Sequence, residues 1–165
     1  MNWLQLIVQW LHVLLGIVWL GTALTANFLL MPAIRNLPLE QQRDLTARFG
    51  AVASPVMSVV IPVLIGLGIL RGTVFGPIQS LDVLFGTAYG ITWMVALGTT
   101  LGTWAWGKFA LEPALHRVSI AQINSDGTLS LAGQQALAQV KTVALLELIG
   151  FAIIFSCMIL MRFGL

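Results

Sequence analysis

One imidazole stands within an uninterrupted apolar run: His12, in Leu11-His12-Val13-Leu14-Leu15-Gly16-Ile17-Val18-Trp19-Leu20-Gly21. An unbonded imidazole is costly in hydrocarbon, so an ionisable side chain inside a membrane segment marks a functional site by default. Gly16 lies four residues on and Trp19 seven, which puts all three on one face of a helix. The glycine leaves room for something flat beside the helix, and the indole offers it a wall. That chemistry is metal or metallo-cofactor binding inside a membrane. A second polar group, Glu147, sits in Leu145-Leu146-Glu147-Leu148-Ile149-Gly150. A carboxyl group buried among hydroxyls is neutral or shares its proton. It either bonds a neighbouring helix or handles protons. The other histidine, His116, lies beside Arg117 just past Pro113 and reads as a solvated helix-end residue.

The composition names the medium these groups must work in. Of 165 residues, 58% are hydrophobic and 8% charged, whereas soluble domains carry about 25% charge. The formal net charge is +2 with the cations scattered, so nucleic acid has no electrostatic hold. The single cysteine, Cys157, excludes an internal disulfide. No basic residue precedes Arg35, and the first apolar run is too long for a signal peptide's core. Four segments reach the roughly 20 apolar residues a bilayer crossing needs: Trp3–Met31, Val52–Leu70, Thr87–Gly107 and Val140–Met161. The expected fold is all-α, a single domain over residues 1–165 forming an up-down-up-down four-helix transmembrane bundle embedded in lipid. Pro32 closes the first helix, while Pro55 and Pro62 fall within the second. The polar stretch Pro38–Phe49 reads as a helical turn or two at the surface, and Gly72–Gly86 as a short outer loop. Asn124-Ser125-Asp126-Gly127 marks a turn, after which Ser130 caps a fourth helix that begins before the membrane.

The first and third links hold Arg35, Arg43, Arg48, Lys108, Arg117 and Lys141, against Arg71 and Arg162 on the other side. This bias puts those two links in the cytoplasm and both termini outside. His12 then lies roughly 12 Å below the outer surface, at 1.5 Å per residue. Met94 falls near its level on the third helix, with Tyr89 and Trp93 just above. Glu147 lies about two turns deeper, level with Thr22, Thr99 and Thr100.

A weak internal repeat pairs the first helix with the third. Leu20-Gly21-Thr22-Ala23-Leu24 returns as Leu97-Gly98-Thr99-Thr100-Leu101, and Phe28-Leu29-Leu30-Met31-Pro32-Ala33-Ile34 as Phe109-Ala110-Leu111-Glu112-Pro113-Ala114-Leu115. Both helices then run from outside to inside, as parallel repeats do. Across all four helices, several short pieces together resemble one family. They are Leu11-His12 with Trp19-Leu20-Gly21, Arg48-Phe49, Thr87-Ala88-Tyr89-Gly90 and Glu147 with its flanks. The chain resembles the copper-resistance protein D superfamily, small membrane domains that include the four-helix protoporphyrinogen oxidase type. The resemblance implies a metal or haem protein with the first-helix histidine as a ligand candidate. The chain departs from that family in carrying Ala96 where a lysine is usual, and in lacking a second intramembrane histidine.

Three function classes follow. In the first, b-type haem is held by His12, with Gly16 admitting the porphyrin edge and Met94 as second axial ligand. Two chains could also share one haem as a homodimer through the glycine-rich third helix, with Gly86, Gly90, Gly98 and Gly102 as its close-packing face. The work done would be redox chemistry or electron transfer. In the second class, copper is handled by Cys157, Met158 and Met161 near the end of the fourth helix, because soft sulfur ligands select Cu(I). In the third, the bundle is structural and His12 bonds a carbonyl freed by Pro62. The expected location is a bacterial inner (cytoplasmic) membrane.

Overall fold

Capping side chains set where most of the helices begin. In a computed structural model describing residues 2–124 and 128–164, the Asn2 side chain accepts the Leu4 N–H at 3.1 Å. This supplies one of the four amide partners a helix start lacks. Helix α1 runs over Trp3–Ile34, α2 over Leu39–Gly72 and the short α3 over Leu81–Gly86. Helix α4 covers residues 88–120 after the cap Thr87, whose hydroxyl accepts the Gly90 N–H at 3.0 Å. Helix α5 is Leu131–Arg162, and Ser130 caps it as its position implied, accepting from Gly133 at 3.3 Å. The described residues form no strand beyond an isolated bridge between Ile123 and Leu129. Of the expected turn at Asn124–Gly127, residues 125–127 lie outside the described residues.

Two expectations about helix ends are corrected. Pro32 does not close the first helix. Thr25–Leu30 forms a π-helical turn whose last bond runs from the Met31 N–H to the Ala26 carbonyl, and α1 continues through Pro32 to Ile34. A proline ring crowds the carbonyl four residues back, and the wider i→i+5 turn just ahead of it relieves that crowding. The same device recurs in α4, where the π turn Gly107–Leu111 ends with Glu112 N–H on the Gly107 carbonyl, immediately before Pro113. The repeat in the sequence is thus a repeat in structure. Likewise Pro38–Phe49 is not a separate surface turn, because from Leu39 onward it is the first third of α2.

Among the described residues, three helices are long and apolar enough to cross a membrane: Trp3–Ile34, Leu39–Gly72 and Leu131–Arg162. The expected fourth span, Thr87–Gly107, is not among them. Its Ala88–Trp106 helix has 19 residues, but threonines, glycines and tryptophans dilute its apolar character.

The helices associate as two antiparallel pairs. In the first, Gln9 of α1 meets Arg71 of α2, and His12 meets Leu64. In the second, the Trp106 indole N–H donates to the Val143 carbonyl at 3.1 Å, and Arg117 donates to Gln139 at 3.1 Å. Contacts are dense within each pair and sparse between them. The two pairs meet chiefly through large side chains: Trp19 packs edge-on against Phe151, with ring centroids 4.8 Å apart, beside Ile61 and Leu64.

Close approach within the α4–α5 pair requires a glycine. A Cβ on Gly150 would collide with the Thr103 hydroxyl, whereas one on Gly98 would meet nothing within 4 Å. Gly150→Leu should therefore destabilise the folded protein by about 1–3 kcal/mol, the usual cost of overpacking. Gly98→Leu should leave monomer stability unchanged. Denaturant titration in detergent micelles compares the two, and equal effects would contradict this packing.

Candidate ligand cavity around His12

The imidazole is held from the second helix. His12 is 8% exposed, and its Nδ1 lies 3.2 Å from the Leu64 carbonyl oxygen. A carbonyl only accepts, so Nδ1 carries the hydrogen and, in the neutral ring, Nε2 keeps the lone pair. One turn along α2, Gly68 makes the space: a Cβ there would stand 3.0 Å from His12 Cε1. The carbonyl used is that of Leu64, not the one Pro62 frees four residues before itself. Metal-binding histidines commonly show this arrangement, with one ring nitrogen bonded to a backbone carbonyl and the other turned to the metal.

A cavity of about 200 Å³ lies between the two helix pairs, with His12 in its wall. Helix α1 contributes His12, Gly16 and Trp19, and α2 contributes Leu64, Gly68 and Arg71. From α4 come Trp93, Ala96, Leu97 and Thr100, a single stripe at helical spacing. From α5 come Phe151, Ile154, Phe155, Met158 and Met161, again one stripe. Trp93 is seated directly on Gly72 of α2, where any Cβ would overlap the indole. The walls are aromatic and aliphatic, and the lining residues that carry polar side-chain atoms are His12, Trp19, Arg71, Trp93 and Thr100.

His12, Gly16, Trp19, Trp93 and Thr100 thus share one cavity with Met158 and Met161, while Met94, Tyr89, Thr22, Thr99 and Glu147 do not line it. Met94 and Thr99 line no part of it. They sit about a third of a turn round α4 from its cavity-facing stripe. The methionines that do reach the cavity are Met158 and Met161. Cys157 is buried off the stripe, so the three sulfurs expected as a cluster divide. Tyr89 belongs to a separate polar pocket of about 450 Å³, shared with Asn2, Gln5, Gln9 and Arg71.

The inner polar layer does not assemble as a network. Thr22 donates to the Val18 carbonyl at 2.8 Å and Thr100 to that of Ala96 at 2.7 Å, both within their own helices. Glu147 instead stands against the π turn of α4, with Oε1 3.6 Å from where a Gly107 Cβ would lie. His116 is exposed near the end of α4. Gly90 packs on the backbone of α3, while Gly86, Gly98 and Gly102 have nothing within 4 Å of a Cβ.

Several residues escaped the sequence reading. Gly68 and Arg71 carry signals that could have shown them: a glycine and the helix's last cation, spaced on the same face as Leu64. On α1, Gln5 and Gln9 continue the His12–Gly16–Trp19 stripe outward at helical spacing. Among the described residues, no group of three or more histidine, cysteine or acidic side chains could hold a metal ion. No protein-family description, curated protein or solved structure matches the chain.

The bond to Leu64 and the void at Gly68 make one testable unit. Gly68→Leu should push the ring off its carbonyl and release the Nδ1 proton from its bond. Nitrogen NMR of ¹⁵N-histidine protein lacking His116 should show the Nδ1–H form for the parent and a tautomer mixture for Gly68→Leu. The same tautomer in both would contradict the assignment.

Proposed function

We propose that this chain is an integral membrane protein of four helices running up-down-up-down, and that it holds b-type haem through His12 for redox chemistry or electron transfer. The observation that carries this reading is the His12 imidazole, bonded through Nδ1 to Leu64 and set in the wall of an aromatic cavity. That bond leaves the other ring nitrogen as the donor haem iron takes. The resemblance to the copper-resistance protein D superfamily supports a ligand at the same histidine. Met94 yields its place as second ligand to Met158 or Met161, because the latter two line the cavity. The cavity's volume is below the roughly 300–1,000 Å³ of ligand pockets. Seating a porphyrin there requires the two helix pairs to move apart, displacing contacts such as Trp19–Phe151 and Trp93–Gly72.

The chain's residues divide the work. His12 binds, Leu64 fixes the tautomer of its ring, and Gly16 and Gly68 keep bulk away. Trp19, Trp93 and Phe155 exclude water. The bound group would supply one-electron redox chemistry at its iron. Copper is the second reading, favoured by one observation: His12, Met158 and Met161 line a single cavity, and a nitrogen with two thioethers suits Cu(I).

The absorption spectrum of protein purified with haem available decides between them. A Soret band is expected, abolished or shifted in His12→Ala and unchanged in His116→Ala. An unaltered band in His12→Ala would overturn the haem assignment. Absence of the band, with copper bound in proportion to protein and lost in His12→Ala, would establish the second reading.

The excess of cations in the first and third links supports a cytoplasmic location for both, with both termini outside a bacterial inner membrane. Cysteines introduced at the exposed Val74 and at Ser119 should react with an impermeant maleimide only from outside and only from inside, respectively. The reverse pattern would invert the topology. The open faces of Gly98 and Gly102 are compatible with a homodimer through α4.

A further inference from the structure

Arg71 stands where the apolar cavity and the polar pocket adjoin, and it lines both. Its Nε donates to Gln9 Oε1. Its two terminal nitrogens make no hydrogen bond among the described residues, and neither ion pair found there, Arg48–Asp44 nor Lys108–Glu112, includes it. No acidic side chain lines either space. The polar pocket instead adds the Tyr89 hydroxyl and the Asn2 amide, both without acceptors among the described residues. A guanidinium held by one edge, with its fork otherwise unbonded and no carboxylate lining either space, is a receptor for a planar anion.

The adjoining apolar cavity says what that anion is attached to. We propose that Arg71, aimed by Gln9 and assisted by Tyr89, clamps the carboxylate of an amphiphile whose apolar body fills the His12 cavity. Where the proposed function holds, on which this assignment to a porphyrin rests, the carboxylate is a haem propionate. The clamp itself requires only the two adjoining spaces and the uncompensated cation. It fixes the orientation of the occupant, with the charged end toward the N-terminus of α1 and the apolar end toward Trp19 and Phe151.

Two ligand pairs test this in nanodiscs of zwitterionic lipid: haem b with its dimethyl ester, and a fluorescent polyene fatty acid with its methyl ester. The free acid should bind at least about tenfold more tightly than the ester, the worth of one charge-assisted hydrogen bond. Arg71→Gln should erase that preference without moving the Soret band, and Arg71→Lys should keep part of it. An Arg71-dependent preference for the fatty acid with no haem binding would sustain the clamp and defeat the haem reading. No acid preference in the parent for either pair, or a preference that survives Arg71→Gln, would overturn the clamp.

Discussion

An imidazole can stay in an apolar interior only if its polar atoms are bonded, and the Leu64 carbonyl meets that need for His12. Much of the site follows from this one contact. It fixes the rotation of α1 against α2, since the ring must face the residue-64 level and Gly68 must leave it space. It selects the tautomer. With the ring so placed, Gln5 and Gln9 fall on the same face toward the helix start, and Gly16 and Trp19 toward the interior. Removing the carbonyl contact would leave a buried donor unsatisfied, at about 1–3 kcal/mol.

The second constraint is that the molecule consists of two helix pairs that pack tightly inside and lightly against each other. Within the second pair, Gly150 admits Thr103 and brings the backbones of α4 and α5 close. Between the pairs, only large side chains such as Trp19 and Phe151 reach across, and the unfilled remainder is the cavity. The matching π turns before Pro32 and Pro113 give α1 and α4 the same course toward their far ends. There Arg43 of α2 donates to the Ala121 carbonyl at the end of α4, tying the pairs together at the end away from the polar pocket. At the other end Trp93 of α4 seats on Gly72 of α2, so the cavity is bounded by a joint there as well.

Much of the helix inventory was legible because hydrophobic length and capping residues are local signals. Asn2, Thr87 and Ser130 are capping types and cap helices; His12, Gly16 and Trp19 line one cavity, as one helix face would, and Trp93, matched to them by depth, lines it too. Proline misled because its cost depends on the turn before it: a π turn, invisible in composition, carries α1 through Pro32. The polar segment after Pro38 misled because a helix can extend beyond an apolar layer with a charged surface. Met94 was matched to His12 by depth, and depth does not report rotation. Arg71 was counted only as a topological charge. Its place between two spaces depends on the packing of α1 and α4 against α2, which no single segment encodes.

The central claim is that His12 binds haem iron through one ring nitrogen while the other remains on Leu64. Electron–nuclear double resonance on ferric protein tests it directly, using ¹⁵N-histidine labelling in a His116→Ala background so that His12 is the only labelled imidazole. The account predicts a strong hyperfine coupling from one directly bound ¹⁵N and a much weaker one from the remote nitrogen. Haem that binds without any ¹⁵N coupling would contradict it.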